Sequence, residues 1–363
     1  MKYIANPASL VPPLIVGPWT KKWIDDIPKH GLKVFSCFHC GGGSSFGYKL
    51  AGFDVVGGVE IDPEMMALYK KNHNPRLPFQ MPIQEFKRLE TMPDELMDLD
   101  VLDGSPPCSS FSMAGARERD WGKEKKFREG QSRQVLDDLF FDFIEVADRL
   151  RPKMVVAENV KGLIIGNARG YVREIFQRFF KAGYDCQLFL LNASRMGVPQ
   201  ARERTFFIAR RMDLEIPKLV LDFNEPVITV GDAFEGLSND ETGTKLTPRA
   251  ESLWRRTMPG ESFSKVNNGS WFNWIRLHNS KPSSTVPATC RLTHPDEPRF
   301  ITYKEAIRLQ TFPEDYDFGD TDGRYVCGMS VPPLMMQRVS SIVARALLAN
   351  RAASVGRSKP SSR

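Results

Sequence analysis

Cysteine is scarce in this 363-residue chain: six residues are too few for a disulfide scaffold. No apolar run approaches the roughly 18–20 residues that a membrane span needs, and the first residues lack the apolar core of a signal peptide. There is no internal repeat and no large excess of one charge: 50 basic residues stand against 44 acidic ones, a net +6. These absences exclude a secreted disulfide-stapled module, a membrane protein and a repeat array. They lead us to expect a cytoplasmic protein with reduced thiols and no membrane partner. The mild basicity suits a polyanionic partner without requiring one.

What is present is an ordinary globular composition, 41% hydrophobic and 26% charged. The length exceeds one domain of roughly 100–200 residues, so a large domain with a smaller companion is expected. Residues 1–30 hold five prolines and read as an irregular extension. From residue 32 the texture changes. Strand patterns at 32–38, 54–59, 99–102 and 154–157 alternate with helical patterns at 44–51, 63–72 and 136–150. That alternation predicts an α/β fold with a doubly wound, Rossmann-like sheet. Residues 211–285 break the pattern. They are rich in Asn, Ser, Thr and Gly, carry Trp254, Trp271 and Trp274, and read as a separate loop-rich module. Helical spacing returns at 303–309 and 335–348. The expected boundaries are thus 1–30, 31–210, 211–285, a return at 286–350, and a disordered basic tail at 351–363.

Five motifs carry chemistry. The first is Phe38-His39-Cys40-Gly41-Gly42-Gly43 after the first strand, with Glu60 ending the second. A glycine turn lets a ligand approach the backbone, and an acid about 20 residues on can hold ribose hydroxyls. The run does not satisfy G-x-G-x-x-G, which disfavours a nicotinamide oxidoreductase. Cys37 and Cys40 form C-x-x-C without a second close pair, so no metal site is expected. The second motif, Gly104-Ser105-Pro106-Pro107-Cys108, follows a predicted strand and presents a stiffly held cysteine, a candidate nucleophile. The third, Glu158-Asn159-Val160, places a carboxylate at the end of a buried strand, where desolvation can raise its pKa for proton exchange. The fourth, Gln200-Ala201-Arg202-Glu203-Arg204, puts two arginines on one strand face. The fifth is Gly328-Met329-Ser330-Val331-Pro332-Pro333, opening the last helix.

Taken in this order, from about Lys33 to Leu348, the motifs resemble those of the DNA cytosine-5 methyltransferase family. Arg299 to Pro313 is similar to that family's penultimate motif. The resemblance implies S-adenosyl-L-methionine as cofactor and double-stranded DNA as substrate. It implies that Cys108 attacks C6 of a cytosine flipped out of the helix, that Glu158 holds the N3/N4 edge, and that Arg202 and Arg204 position the base. It assigns the cofactor pocket to Phe38, His39, Cys40, Gly41, Gly42, Gly43, Glu60, Ile61 and Ile83, closed by Ser330 and Val331. Residues 109–133 would be a loop closing on DNA, and 211–285 the target-recognition region. A monomer is implied, bacterial or phage-encoded, with a cognate restriction endonuclease as a candidate partner. Four positions depart from the family pattern: Cys40, Pro82, Ser109 and Met329. The rival readings are a tRNA cytosine-5 methyltransferase of the same fold and a catalytically silent DNA-binding regulator. The length of the variable region and the absence of Cys-Phe-Thr oppose the first, and intact Cys108 and Glu158 oppose the second.

Charge is unevenly placed. Residues 351–363 carry +4, residues 117–133 carry +3, and the remainder is close to neutral at −1. We expect the loop to supply phosphate contacts and the tail a weak, salt-sensitive attraction.

Overall fold

The computed structural model describes residues 10–107, 124–125, 134–135, 138–165, 169–237 and 243–357. The central sheet begins with β1 (Lys33–Cys37), β2 (Asp54–Glu60), β3 (Leu77–Gln80) and β4 (Val101–Gly104). A two-residue antiparallel pair, β5 (Glu124–Lys125) and β6 (Gln134–Val135), precedes β7 (Met154–Val160), β8 (Tyr184–Asn192) and β9 (Glu203–Arg211). The seven-stranded order is β3-β2-β1-β4-β7-β9-β8. Strands β3, β2, β1, β4 and β7 run parallel, while β9 lies antiparallel between β7 and β8.

The chain winds outward in one direction through β2 and β3, then in the other through β4 and β7. The order therefore reverses between β1 and β4, and the carboxyl ends of these two strands open the crevice where such sheets bind ligands. Cys37 pairs with Gly104, and Gly104 with Ala157, so three strand ends are level. The glycine turn, the Pro-Pro-Cys loop and Glu158 leave the sheet from that one edge.

Strand alternation sorts the two faces. Val34, Val101, Met154, Val156, Phe206 and Ile208 join one core with α1 (Gly43–Leu50), α2 (Pro63–His73) and the last helix. Phe35, Leu102, Val155, Ala157 and Phe207 join the other core with α3 (Ile83–Phe86), α4 (Leu139–Leu150) and α5 (Arg169–Lys181). Among the described residues before β1 there is a 3-10 helix, Lys21–Asp26, and the segment is strapped down. Trp19 is buried and donates to the Thr311 carbonyl at 3.0 Å, and Ile15 N–H donates to Gln337 at 3.0 Å.

The smaller module is built on α6 (Val230–Phe234), α7 (Pro248–Arg256) and a short parallel pair, β10 (Ile275–Arg276) with β11 (Leu292–Thr293). Its core unites Val230, Leu277, Val286, Leu292 and Ile301 with Ala306 and Leu309 of α8 (Tyr303–Gln310), drawing on residues past 285. The short α9 (Gly323–Met329) leads into α10 (Pro333–Arg357). That last helix corrects the expectation of a disordered tail from 351. Arg351, Ala352 and Ala353 are strong helix formers and prolong a helix already anchored by its buried face. Residues 358–363 lie outside the described residues. No helix among the described residues is long and apolar enough to cross a membrane.

Candidate active site

After β1 the backbone enters the left-handed region at Phe38 (φ 55°), Cys40 (φ 48°) and Gly42 (φ 81°). The turn is held from the next strand. Cys40 N–H donates to Glu60 Oε2 at 3.0 Å, while Ile61 and Asp62 N–H groups donate to Oε1 at 2.9 and 3.1 Å. Burial pushes the Glu60 pKa up, and those three backbone donors pull it back. A carboxylate has about four lone-pair sites, so one acceptor position remains beyond these three bonds.

The glycines are required by close approach rather than by a ligand alone. A Cβ on Gly43 would stand 2.2 Å from the Val331 carbonyl oxygen, and one on Gly42 2.2 Å from His73 Nε2. The Ser330–Val331 turn therefore rests directly on the start of α1, although nearly the whole domain separates them in sequence. Ser330 is fixed in turn: its carbonyl accepts from Gln310 Nε2 at 2.7 Å and from Arg202 Nη2 at 3.1 Å. The Cys40 thiol is pushed up to about 12, first by burial and then by Glu60, so it is not a nucleophile at neutral pH.

The second half of the site lies at the ends of β4, β7 and β9. The described chain stops at Pro107 on the second motif, so Cys108, Ser109 and most of 109–133 lie outside the described residues. The approach to Cys108 is anchored, because Asn159 Nδ2 donates to the Pro106 carbonyl at 3.0 Å. Glu158 is 7% exposed and pairs through Oε1 with Arg204 Nε at 2.9 Å. Burial lowers the Arg204 pKa and Glu158 opposes that fall. The pair compensates what would otherwise be a buried lone charge.

One further acid went unremarked in the sequence. Asp103, 2% exposed, sits on β4 opposite Ser36 of β1 and accepts its hydroxyl at 3.0 Å. Burial pushes its pKa up to about 7, against the Ser36 hydrogen bond, and the Glu158 charge adds to the rise. An aspartate inside the apolar run Leu99-Asp100-Val101-Leu102-Asp103 was the available signal.

A family model for C-5 cytosine-specific DNA methylases matches residues 32–344. The chain belongs to that family. A type II methyltransferase of Haemophilus parahaemolyticus, M1.HphI, is 31% identical over 86% of each chain. M.NgoPII of Neisseria gonorrhoeae is 28% identical over 87% of this chain and 96% of the relative. In three dimensions the fold matches a protein assigned as a prophage-encoded DNA modification methyltransferase of E. coli (TM-score 0.64, 23% identity, 88% of this chain and 99% of that one). It also matches a Spodoptera frugiperda DNMT2 (TM-score 0.61, 19% identity, 86% and 99%). The methylase transfers a methyl group from S-adenosylmethionine to C5 of cytosine in DNA.

The donor set of this methylase fits that cofactor: the Glu60 carboxylate keeps a spare acceptor for ribose, and half-buried Phe38 and Ile61 stand beside it. Two expected site residues take other roles. His39 turns inward, stacks on Tyr69 at 3.7 Å, and donates from Nδ1 to the Cys40 carbonyl at 2.9 Å. Burial pushes its pKa down to about 4, so it is a neutral prop under the turn rather than a ligand contact. Arg202 spends its fork on the carbonyls of Val286, Gly328 and Ser330, each at 3.1 Å. It is buried and clamps three backbone segments; it is not presented to a base. Ile83 is mostly committed to the core beside Phe35 and Phe86.

Proposed function

We propose that this methylase acts as a type II modification methyltransferase on double-stranded DNA, with Cys108 as nucleophile and Glu158 and Arg204 as the pair that receives the flipped cytosine. The observation that carries this is the Glu158–Arg204 pair, buried at the same sheet edge from which the Pro-Pro-Cys loop emerges, with Asn159 tying the two together. Relatives named as type II methyltransferases support the biological setting, and a cognate restriction endonuclease is part of the proposal.

In this reading the Cys108 thiolate forms a bond to C6, which makes C5 enamine-like. Glu158 hydrogen-bonds the N3/N4 edge and stabilises the ring as electron density moves. Arg204 keeps the Glu158 carboxyl oriented. S-adenosylmethionine, when bound, supplies the methyl group. A base then takes the C5 proton, the C6–Sγ bond breaks, and the thiolate returns. Phe38, the Cys40–Gly43 backbone, Glu60 and Ile61 would hold the cofactor, with Ser330 and Val331 closing the turn from the far side. Arg202 acts through Ser330 as a positioning residue. The module around 211–285 reads the target, and the enzyme works as a monomer.

The test is expression in a host lacking cytosine methylation, followed by bisulfite sequencing. Protected cytosines in one sequence context, lost in Cys108→Ser, are expected. Unprotected DNA from a soluble, folded wild-type enzyme would overturn the proposal.

A further inference from the structure

The small module carries an exposed tip that its own core does not explain. Trp271 lies in the left-handed region (φ 64°), which a bulky side chain avoids. It is held there by stacking on Trp274 at 4.5 Å and by Ser262, whose hydroxyl bonds the Phe272 carbonyl at 2.8 Å. The turn pushes Phe272 and Asn273 outward. Phe272 is 58% exposed, and the Asn273 amide makes no hydrogen bond among the described residues. Arg249 stands 5.4 Å over Trp271, and Arg291 5.7 Å over Trp274. Both are exposed, and neither forms an ion pair among the described residues. Residues 245–276 hold six basic residues against two acids. The root of the module is bolted to the catalytic edge: Ala201 N–H donates to the Ser283 carbonyl at 2.8 Å, and Arg202 to that of Val286.

We infer that the 271–273 tip reads an A·T base pair beside the target cytosine, with Arg249 and Arg291 on the flanking phosphates. This rests on the reading of the module as the target-recognition part. The chemistry is specific. An asparagine amide matches the paired acceptor and donor of adenine, and an apolar ring contacts the thymine methyl group. Neither group suits a G·C pair as well. Arginines stacked on rings keep their charge while losing little freedom on meeting a phosphate. Asn268 has a different use: with Gly269 it makes the left-handed turn below the tip (φ 46° and 81°).

The experiment offers full-length wild type, Phe272→Ala and Asn273→Ala a duplex library with randomised positions around a cytosine, read by bisulfite sequencing. The expected result is a wild-type site containing a fixed A·T pair, with discrimination at that pair reduced about tenfold in each variant and the cytosine still required. Unchanged preference in both variants, or a wild-type site without an A·T pair, would overturn the inference. If a variant methylates nothing, its binding to specific and mixed-sequence duplexes decides: loss confined to the specific duplex supports the tip, and equal loss on both refutes it. A wild type that methylates nothing would refute the enzymatic reading instead; the tip is then judged on duplexes selected from the same library by wild-type binding, where a fixed A·T pair lost in Phe272→Ala and Asn273→Ala supports it and its absence refutes it.

Discussion

Asp103→Asn isolates the effect of one buried acid on the whole fold. In the folded protein the Asp103 pKa is pushed to about 7, against an ordinary 3.8. The folded state therefore holds this proton more tightly than the unfolded chain does. Its contribution to stability is complete below pH 4 and is lost as pH rises to about 7. Three units at 1.36 kcal/mol each set the loss on the order of 4 kcal/mol. Asparagine keeps an acceptor for the Ser36 hydroxyl but cannot ionise. Urea denaturation followed by tryptophan fluorescence between pH 5 and pH 8 measures the difference. Wild type should lose stability relative to Asp103→Asn across that window, with the variant the more stable at pH 8. Parallel pH profiles would refute the argument, because they would mean that Asp103 ionises as freely in the fold as outside it.

Gly43→Ala drives a Cβ against the Val331 carbonyl oxygen. A loss of about 1–3 kcal/mol in thermal unfolding is expected, together with weakened S-adenosylmethionine binding by calorimetry. Arg202→Lys keeps a charge but cannot span three carbonyls, so KM for the cofactor should rise at least as much as kcat falls, whereas a base-contacting role would spare the cofactor KM. Glu225→Ala leaves the fully buried Arg338 without the carboxylate it meets at 2.7 and 2.9 Å. That should cost roughly 3 kcal/mol in urea denaturation, with kinetic constants unchanged below the melting range.

Much of the site was readable because its motifs sit at strand ends, where a local texture change marks them. A glycine turn, two prolines before a cysteine, and an acid closing an apolar run each signal a strand's carboxyl edge without tertiary knowledge. Strand direction has no such signal. Nothing in Glu203–Arg211 says that it runs against β7, or that Tyr184–Asn192 completes the edge. Side-chain direction was hidden for the same reason. His39 turns inward because Tyr69 is there to stack on, and Arg202 turns to carbonyls that arrive from residues 286–330. Composition alone makes residues 351–357 look disordered, whereas they continue a helix that packing has already nucleated.

The central claim is that Cys108 carries the reaction covalently. Duplexes with 5-fluorocytosine at the target should trap the enzyme in the presence of S-adenosylmethionine, because fluorine cannot leave as a proton does. The account predicts a denaturation-resistant complex whose cross-linked peptide contains Cys108 and which Cys108→Ser fails to form. Clean turnover of an otherwise methylatable target with no adduct, or an adduct that persists in Cys108→Ser, would contradict it.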